Sequence, residues 1–287
     1  IFVDKPIIPF AHSTPQKCCI PTFSFQNILP LGENAEKLKE ILESLKISTN
    51  IDTQEGTLDA IHQTAACEEN IGWRTIGQSR RLILVATDGR IKIQGDSRIA
   101  GIFRPHDGKC HLNASNYYDK DLYFDYVSLN MVKTVLMNNR ISVLFAATKD
   151  VRDDFVKISK LWNGVNSDVS LLNQDSSNII ELIENLSQTL LSHISLSIEK
   201  NDYFANTYNA ICGNSKITNL SVNTCMGIKM GDTVTFNITL KAIKCSSKNL
   251  KNQRLNFNIN GLSDVIVYFE IKCGCDCTLS NKSDVSV

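Results

Sequence analysis

The segment Leu82-Ile-Leu-Val-Ala86 is apolar on both faces, and Ile141-Ser-Val-Leu-Phe-Ala-Ala147 has the same character. Such runs are typical of central strands in a sheet that helices cover on both sides. Asp168-Val-Ser-Leu-Leu172 is a further candidate strand, and Phe2-Val3 has the composition of the end of another. Buried strands at widely spaced positions favour an α/β protein.

Amphipathic segments separate these strands. In residues 34–46, leucine and isoleucine recur at helical spacing, with Glu and Lys on the opposite face. The same pattern predicts helices over residues 128–138, 151–162 and 176–191. Asp175-Ser176-Ser177 stands at the start of the last helix and can supply its N-cap. Residues 1–200 are therefore predicted to form one α/β domain.

The helical period disappears after about Asn201, which changes the predicted class of structure. Apolar and polar residues then alternate in 233–243, 254–259 and 264–271, with turn residues between them. This pattern predicts antiparallel strands. We place a domain boundary near Lys200, a second domain over residues 201–272, and the start of a cysteine-rich region at 273–287.

Composition excludes some classes of partner. The 287 residues include 30 basic and 30 acidic side chains, for a net charge of +0, so nucleic acids and anionic membranes are not predicted partners. The longest apolar runs are far shorter than the ~20 residues that cross a bilayer. The chain begins Ile1-Phe2-Val3-Asp4, without Met or a signal sequence, which predicts a fragment or a processed chain.

Ten cysteines are many for a cytosolic protein of this size. The chain also has glycosylation sequons at Asn113, Asn185, Asn219, Asn237 and Asn281. Together these features favour an extracellular, oxidising environment.

Acidic residues stand where an α/β sheet binds ligands. Val85-Ala-Thr-Asp88 ends a predicted strand with a carboxylate, and ligands bind outside the carboxyl ends of such strands. The alternative is that Asp88 caps the following turn. The loop Asn50-Ile-Asp-Thr-Gln-Glu-Gly56 precedes a helix-like run and offers the oxygen ligands that Ca²⁺ and Mg²⁺ prefer, although a solvated loop would look similar. With Asp4, these carboxylates would repel one another unless a cation lay among them.

Enzyme motifs do not accompany these carboxylates. The strands are not followed by Gly-x-Gly-x-x-Gly or a Walker loop, and Gly-x-Ser-x-Gly does not occur. We interpret each histidine as a surface or core residue: His12, His62, His106, His111 and His193. Cys273-Gly-Cys-Asp-Cys277 resembles a thiolate metal site, but disulfides are favoured in a chain with sequons. Enzyme functions are therefore less favoured than binding functions, and a hydrolase on an α/β scaffold is the enzyme alternative.

Six motifs in one order carry a family resemblance over nearly the whole chain. They are Phe2-Val-Asp-Lys-Pro6, Cys67-Glu-Glu-Asn-Ile-Gly-Trp-Arg74, Asp107-Gly-Lys-Cys-His111, Phe124-Asp-Tyr126, Gln174-Asp-Ser-Ser-Asn178 and Cys225-Met-Gly-Ile-Lys-Met-Gly-Asp232. With these motifs the chain resembles integrin beta subunits. The resemblance implies a von Willebrand factor type A fold, a doubly wound sheet inserted into a β-sandwich hybrid domain. Residues 1–200 would be a truncated I-like domain and 201–272 the second half of the hybrid domain.

The resemblance also implies ligands for cations. A Ca²⁺ site would use Asp4, Asn50, Asp52, the backbone carbonyl of Gln54, and Glu55. The adjacent Mg²⁺ site, at which ligands bind, would use Glu55 and Asp88, with Mn²⁺ as an alternative ion. Gln174 corresponds to a residue that lends a backbone carbonyl to a third site.

The implied function is that of a cell-surface, single-pass membrane receptor subunit. It would pair with an integrin alpha subunit and bind an extracellular protein through an acidic residue that completes the Mg²⁺ shell. The alternative is a degenerate or secreted relative that keeps the fold as an interaction module without metal-dependent binding.

Departures from the family limit these expectations. The family's Asp-x-Ser-x-Ser motif falls upstream of Ile1, so the chain by itself is not expected to bind an acidic ligand with receptor-like affinity. Gln54 replaces a usual Pro, and Thr57 replaces a usual Gly. In the loop that sets ligand choice, Cys19 matches the closing cysteine while Cys18 takes the place of the opening one. A bond between these neighbours would be strained, so they pair elsewhere or stay free.

The family pattern also implies a set of disulfides. It pairs Cys67 with Cys110, Cys212 with Cys225, and Cys245 with Cys273. Cys275 and Cys277 are left for partners outside this segment.

Overall fold

The computed structural model describes residues 1–7, 19–76, 79–191, 194–199, 201–212, 223–225, 227–228, 232–244, 250–259 and 264–271. The chain divides into two compact units, the first ending at Leu191 and the second beginning at Ser192. Within the described residues, no helix combines the length and the apolar character needed to cross a bilayer.

The first unit alternates helices and strands. Its elements are α1 (Ala35–Ser44), β1 (Gln54–Glu55), α2 (Thr57–Ala66), α3 (Glu68–Ile71), β2 (Arg81–Thr87), β3 (Arg90–Ile91), a 3-10 helix (Asp96–Ala100), α4 (Leu129–Asn138), β4 (Ile141–Thr148), α5 (Arg152–Leu161), β5 (Ser167–Leu172) and α6 (Ile179–Leu191). Strands β2, β4 and β5 form a parallel sheet in the order β2-β4-β5. The two-residue strands β1 and β3 pair separately, also in parallel.

Helices cover both faces of the three-stranded sheet. Because successive side chains of a strand point to opposite faces, Ile83 and Phe145 enter the main core, where α2, α4 and α5 also contribute side chains. Leu84 and Leu144 point the other way and pack with Leu182 of α6. This arrangement confirms the predicted doubly wound α/β sheet.

Two local predictions in this unit are wrong. Phe2-Val3 is not a central strand, because Phe2 makes only an isolated antiparallel bridge to Phe25, and Val3 N donates to Ser24 O at 3.2 Å. Helix α6 begins at Ile179 rather than at Ser176, because Ser176 has φ 56°, in the left-handed region, and Ser177 N donates to Asp175 Oδ1. The polar residues expected to cap the helix form a separate turn before it.

The second unit is built from antiparallel strands. They are β6 (Ile194–Ile198), β7 (Phe204–Ile211), β8 (Thr224–Cys225), β9 (Thr235–Ala242), β10 (Leu250–Ile259) and β11 (Asp264–Ile271). One sheet has the order β11-β10-β6-β8, and β7 pairs with β9 in another. Leu196 and Phe257 of the first sheet pack with Phe236 and Leu240 of β9, as the two layers of a β-sandwich do.

The observed division between the units precedes the predicted boundary near Lys200. The physical reason is that Ile194–Ile198 is a strand whose residues Leu196 to Ile198 pair with β10, so it belongs to the β-rich unit. The assignment of 201–272 to half of a hybrid domain, and of 273–287 to a cysteine-rich region, stays a prediction.

Phe145 is the test of the predicted core. Its buried ring lies 4.9 Å from the Phe155 ring and 5.9 Å from the Trp162 ring. We expect Phe145→Ala to lower the free energy of unfolding by ~3–5 kcal/mol, because the change leaves a cavity among these rings. Chemical denaturation of the purified chain measures it, with the exposed Phe103→Ala as control. Equal losses in the two variants would contradict the assignment of Phe145 to the core.

Candidate cation site

The loop at residues 50–55 is fixed to the segment that follows β2. Strands β1 and β3 pair in parallel, with Glu55 opposite Ile91. Lys92 N donates to Glu55 O at 3.0 Å, and Arg90 N donates to Thr53 O at 3.0 Å. The pairing therefore brings the predicted ligands of the loop to the end of β2, where Asp88 lies.

Asp4 reaches the same place from the start of the chain. It is fully buried, and its Oδ1 accepts hydrogen bonds from Lys5 N at 2.8 Å and from the Tyr126 hydroxyl. Gly56 N donates to Val3 O at 2.7 Å, so the residue after Glu55 and the residue before Asp4 share a backbone hydrogen bond. These contacts hold the Asp4 carboxylate beside the 50–55 loop. Asp4, Asn50, Asp52 and Glu55 are called the acidic cluster below.

Lys5 anchors this segment. Its ammonium lies 3.0 Å from Asp59 Oδ2, with both side chains 0% exposed. It also donates to the backbone oxygens of Asp121 at 2.7 Å and Phe124 at 3.1 Å. A buried ammonium with these partners leaves the neighbouring Asp4 little freedom to turn away.

Four of the predicted ligands present buried oxygens that have no hydrogen-bond partner. They are Asp4 Oδ2, Asn50 Oδ1, Asp52 Oδ1 and Glu55 Oε2. An acceptor that is buried without a donor normally costs free energy, so such groups need an explanation. Carboxylate and amide oxygens are the donor set of a hard divalent cation, and these residues fit one.

Two carboxyl groups of the cluster, those of Asp4 and Glu55, are harder to ionise than ordinary carboxyl groups. Burial raises the pKa of Asp4 to about 7, against the opposing effect of the hydrogen bond from Tyr126. Burial, and then the charge of Asp4, raise the pKa of Glu55 to about 7, and Asp52 and Asp88 act in the same direction. The cluster therefore gathers negative charge in a place that water solvates poorly.

A positively charged side chain, that of Lys92, also lies in the cluster, and the sequence motifs did not indicate it. The Lys92 ammonium lies 2.6 Å from Asp52 Oδ2 and 3.9 Å from Asp4 Oδ2, and its side chain is 4% exposed. The signal for Lys92 was weak, because a lysine four residues after Asp88 looks like any surface lysine in the sequence.

Gly89 is a second residue that the sequence analysis missed. A Cβ at this position would lie 2.3 Å from Glu55 Cγ and 3.2 Å from Glu55 Cβ. Only glycine therefore leaves room for the Glu55 side chain where it lies. A glycine directly after a ligand candidate at a strand end was the available signal.

The remaining predicted ligands are placed differently. Asp88 is exposed in the turn after β2, where Gly89 N donates a hydrogen bond to Thr87 Oγ1 at 3.1 Å. Gln54 is half-buried in β1, next to Glu55. Gln174 is exposed in the turn after β5, and β4 separates that strand from β2. The structure thus gathers Asp4, Asn50, Asp52 and Glu55, and it leaves Gln174 at another strand.

The rings of three histidines, His62, His106 and His111, lie close together. The His62 and His106 rings have centroids 4.6 Å apart, and both side chains are buried. His111 Nε2 lies 2.7 Å from Asp107 Oδ1, and Gly108 N donates to His106 Nδ1 at 2.9 Å. His106, Asp107 and His111 stand close enough to share an ion, but these hydrogen bonds already account for their arrangement.

Disulfides close two loops in the described residues. Cys67 is bonded to Cys110, and Cys212 to Cys225. Cys19 also takes part in a disulfide. The other predicted or candidate cysteines lie outside the described residues: Cys18, Cys245, Cys273, Cys275 and Cys277.

The sequons differ in exposure. Asn185 and Asn237 are exposed, whereas Asn113 is half-buried and its Oδ1 accepts from Ser115 N at 2.9 Å. Asn219 and Asn281 lie outside the described residues, as do His12 and His193.

Comparison with known proteins gives one consistent family. The family described as "Integrin beta chain VWA domain" matches residues 1–194. The chain is 35% identical to integrin beta-6 of Ovis aries over 96% of its own length and 36% of that protein. It is 34% identical to integrin beta-6 of Homo sapiens over the same shares, and 33% identical to integrin beta pat-3 of Caenorhabditis elegans over 96% of the chain and 35% of that protein. The chain spans about a third of the length of these curated relatives.

Gly89 provides a test of the geometry around Glu55. We expect Gly89→Ala to weaken Ca²⁺ binding by about tenfold or more, because the new methyl group must displace the Glu55 side chain. Calorimetry of the purified chain measures the affinity. Gly32→Ala is the matched control, since the nearest atom to its Cβ would be 3.9 Å away. If Gly89→Ala bound Ca²⁺ as tightly as the Gly32 variant, the close approach to Glu55 would not matter for the site.

We expect two buried histidines, His62 and His106, to lose stabilising effect in acid. Burial lowers the pKa of His62 to about 4 and that of His106 to about 4, against an ordinary value of 6.5. His106, His111, Asp59 and Asp107 are the ionisable groups that act on His62. Between pH 6.5 and 4 these two histidines bind protons in the unfolded chain and not in the folded one, so their contribution to stability falls as the pH falls. The raised pKa values of Asp4 and Glu55 act in the opposite direction, so the histidine effect is measured as a difference between variants.

We expect His62 to account for roughly 1–3 kcal/mol of that loss. Denaturant unfolding at several pH values measures it, for the wild type and for His62→Gln. The variant should show a shallower decline, because a glutamine does not titrate. Parallel curves for the two proteins would show that His62 is not the source.

Proposed function

Because the chain belongs to the integrin beta family, we propose that it is part of the beta subunit of a heterodimeric cell-adhesion receptor. Its first unit is the I-like, von Willebrand factor A-type domain of that subunit. The subunit binds an extracellular protein through a cation-dependent site and acts as a receptor rather than as an enzyme.

The observation that carries this proposal is that four neighbouring residues, Asp4, Asn50, Asp52 and Glu55, each have a buried oxygen without a hydrogen-bond partner. They come from two segments far apart in the chain, which the hydrogen bond between Gly56 N and Val3 O joins. Oxygen donors brought together in this way match the ligand preference of Ca²⁺. We assign Ca²⁺ to these residues, with the backbone carbonyl of Gln54 as a further ligand.

Glu55 has the central role in the proposed site. Glu55 lies against Gly89, the residue that follows Asp88, since a Cβ at Gly89 would be 2.3 Å from Glu55 Cγ. We assign Mg²⁺, or Mn²⁺ as an alternative, to Glu55 and Asp88. A divalent cation held there supplies the positive charge that an acidic ligand residue needs. Gln174 is proposed to serve a third site through its backbone.

The partners and location follow from the same assignment. We propose that an integrin alpha subunit pairs with this chain, and that the ligand is a matrix or cell-surface protein with an accessible acidic residue. The site would then face the outside of the cell, in the extracellular part of a single-pass plasma membrane protein. The disulfides and the exposed Asn185 and Asn237 sequons support that environment.

One observation favours the alternative function. Lys92 already places a positive charge beside Asp52. A counter-charge from a side chain is expected in a protein that no longer depends on a metal ion. In that case the chain would be a degenerate or secreted interaction module of the integrin beta type, without metal-dependent ligand binding.

Replacement of Glu55 distinguishes the two functions. In the full-length receptor on cells, Glu55→Ala should reduce cation-dependent adhesion at least about tenfold and leave surface expression largely intact, because the carboxylate serves both proposed cations. Glu36→Ala, at an exposed position of α1, is the control and should adhere like the wild type. Adhesion by the Glu55 variant at the wild-type level would remove the proposed role, and adhesion of all three proteins in EDTA would favour the alternative.

A further inference from the structure

Lys92 places a buried positive charge among residues that are proposed to hold a divalent cation. Its ammonium lies 2.6 Å from Asp52 Oδ2, within hydrogen-bond distance, and 3.9 Å from Asp4 Oδ2. Both carboxylates belong to the proposed Ca²⁺ site. Lysine side chains are rarely buried, so the position of this one needs a cause.

The backbone fixes Lys92 in this place. The residue follows β3 directly, and its N–H donates to the backbone oxygen of Glu55, itself a proposed ligand. The ammonium therefore comes from the segment that holds the 50–55 loop in position. The Lys92 side chain could reach solvent only if the β1–β3 pairing broke or the buried side chain itself moved.

The charges of the cluster define what Lys92 does there. Asp4, Asp52 and Glu55 carry a formal charge of −3 when ionised, and Lys92 reduces it to −2. The ammonium lies between Asp4 and Asp52 and neutralises part of the repulsion among these carboxylates. Asp52 Oδ1 and Glu55 Oε2 keep no hydrogen-bond partner, so one ammonium satisfies the cluster only in part.

A divalent ion and the ammonium would compete for the same oxygens. Like charges a few ångströms apart repel strongly in a site that water penetrates poorly. A cation that used both oxygens of Asp52 would have to displace the lysine, and one that used only Oδ1 would bind against its repulsion.

We propose that Lys92 is a built-in counter-cation, which keeps the carboxylate cluster assembled without a divalent ion and lowers the affinity of the cluster for Ca²⁺. The inference rests on the proposed function, because it assigns a regulator to the proposed Ca²⁺ site. Lys92 would set the Ca²⁺ concentration at which the site fills. With Lys92 present, the cluster would also keep its shape at Ca²⁺ concentrations too low to hold the carboxylates together without the lysine.

The test compares Ca²⁺ binding and stability in variants of the purified chain. Lys92→Met removes the charge and keeps an unbranched chain of similar length, and Lys92→Gln serves if the methionine variant folds poorly. Lys39→Met, at an exposed position of α1, controls for the general loss of a lysine. Calorimetry gives the Ca²⁺ affinity after treatment with a chelator, and circular dichroism gives the unfolding midpoint without divalent ions.

We expect Lys92→Met to bind Ca²⁺ at least about tenfold more tightly than the wild type, and Lys39→Met to stay within about twofold of it. Without divalent ions, the unfolding midpoint of Lys92→Met should lie below that of the wild type, and excess Ca²⁺ should raise it again. Equal or weaker Ca²⁺ binding by both neutral variants, in a wild type that binds Ca²⁺, would overturn the inference and leave the proposed function intact. Failure of the wild type and of both variants to bind Ca²⁺ would overturn the proposed Ca²⁺ site itself.

Discussion

The ion pair between Lys5 and Asp59 is the contact on which the surroundings of the acidic cluster depend. Both side chains are fully buried, 3.0 Å apart. Asp59 lies in the first turn of α2, and its other oxygen accepts a hydrogen bond from Val127 N at 2.8 Å. Loss of one partner of a buried pair leaves an uncompensated charge and typically costs ~3–5 kcal/mol. The pair therefore ties the start of the chain, α2 and the segment before α4 into one framework.

That framework explains how a group of mutually repelling side chains can exist at all. Asp4 follows the main chain into the protein next to Lys5, and the β1–β3 pairing delivers Glu55 and Lys92 to the same place. The favourable packing of the surroundings offsets the free-energy cost of holding carboxylates where water solvates them poorly. The unpartnered oxygens are then a property of the fold rather than of loose side chains, which is what a site prepared for a cation requires.

The features that could be predicted depend on local sequence patterns, whereas those that could not depend on contacts between distant segments. Strands β2 and β4 could be predicted because a buried central strand needs apolar residues on both faces, which is a local pattern. Asp4 and Glu55 could be proposed because their motifs resemble those of a known family. Lys92 could not, since its role depends on a pairing between segments about forty residues apart, which no local pattern encodes.

The same argument covers the two local predictions that are wrong. Phe2-Val3 has a strand-like composition, but its partner is Phe25 rather than the parallel sheet. At α6 the Asp175 carboxylate accepts from Ser177 N and the Ser176 backbone is left-handed, so these residues form a turn of their own before the helix. In both places a tertiary or side-chain contact outweighs a backbone preference.

The Cys67–Cys110 bond has a consequence for how the cluster can open. It makes a covalent ring of residues 67–110, which contains Asp88, Gly89 and Lys92, whereas Asp4 and the 50–55 loop lie outside it. A ring has less conformational entropy to gain by local unfolding than a free segment of the same length. Chain entropy alone therefore favours transient opening, of the kind that hydrogen exchange detects, less in the segment of Lys92 than in the 50–55 loop. Reduction of this disulfide would remove that entropic restraint from the segment that carries Lys92.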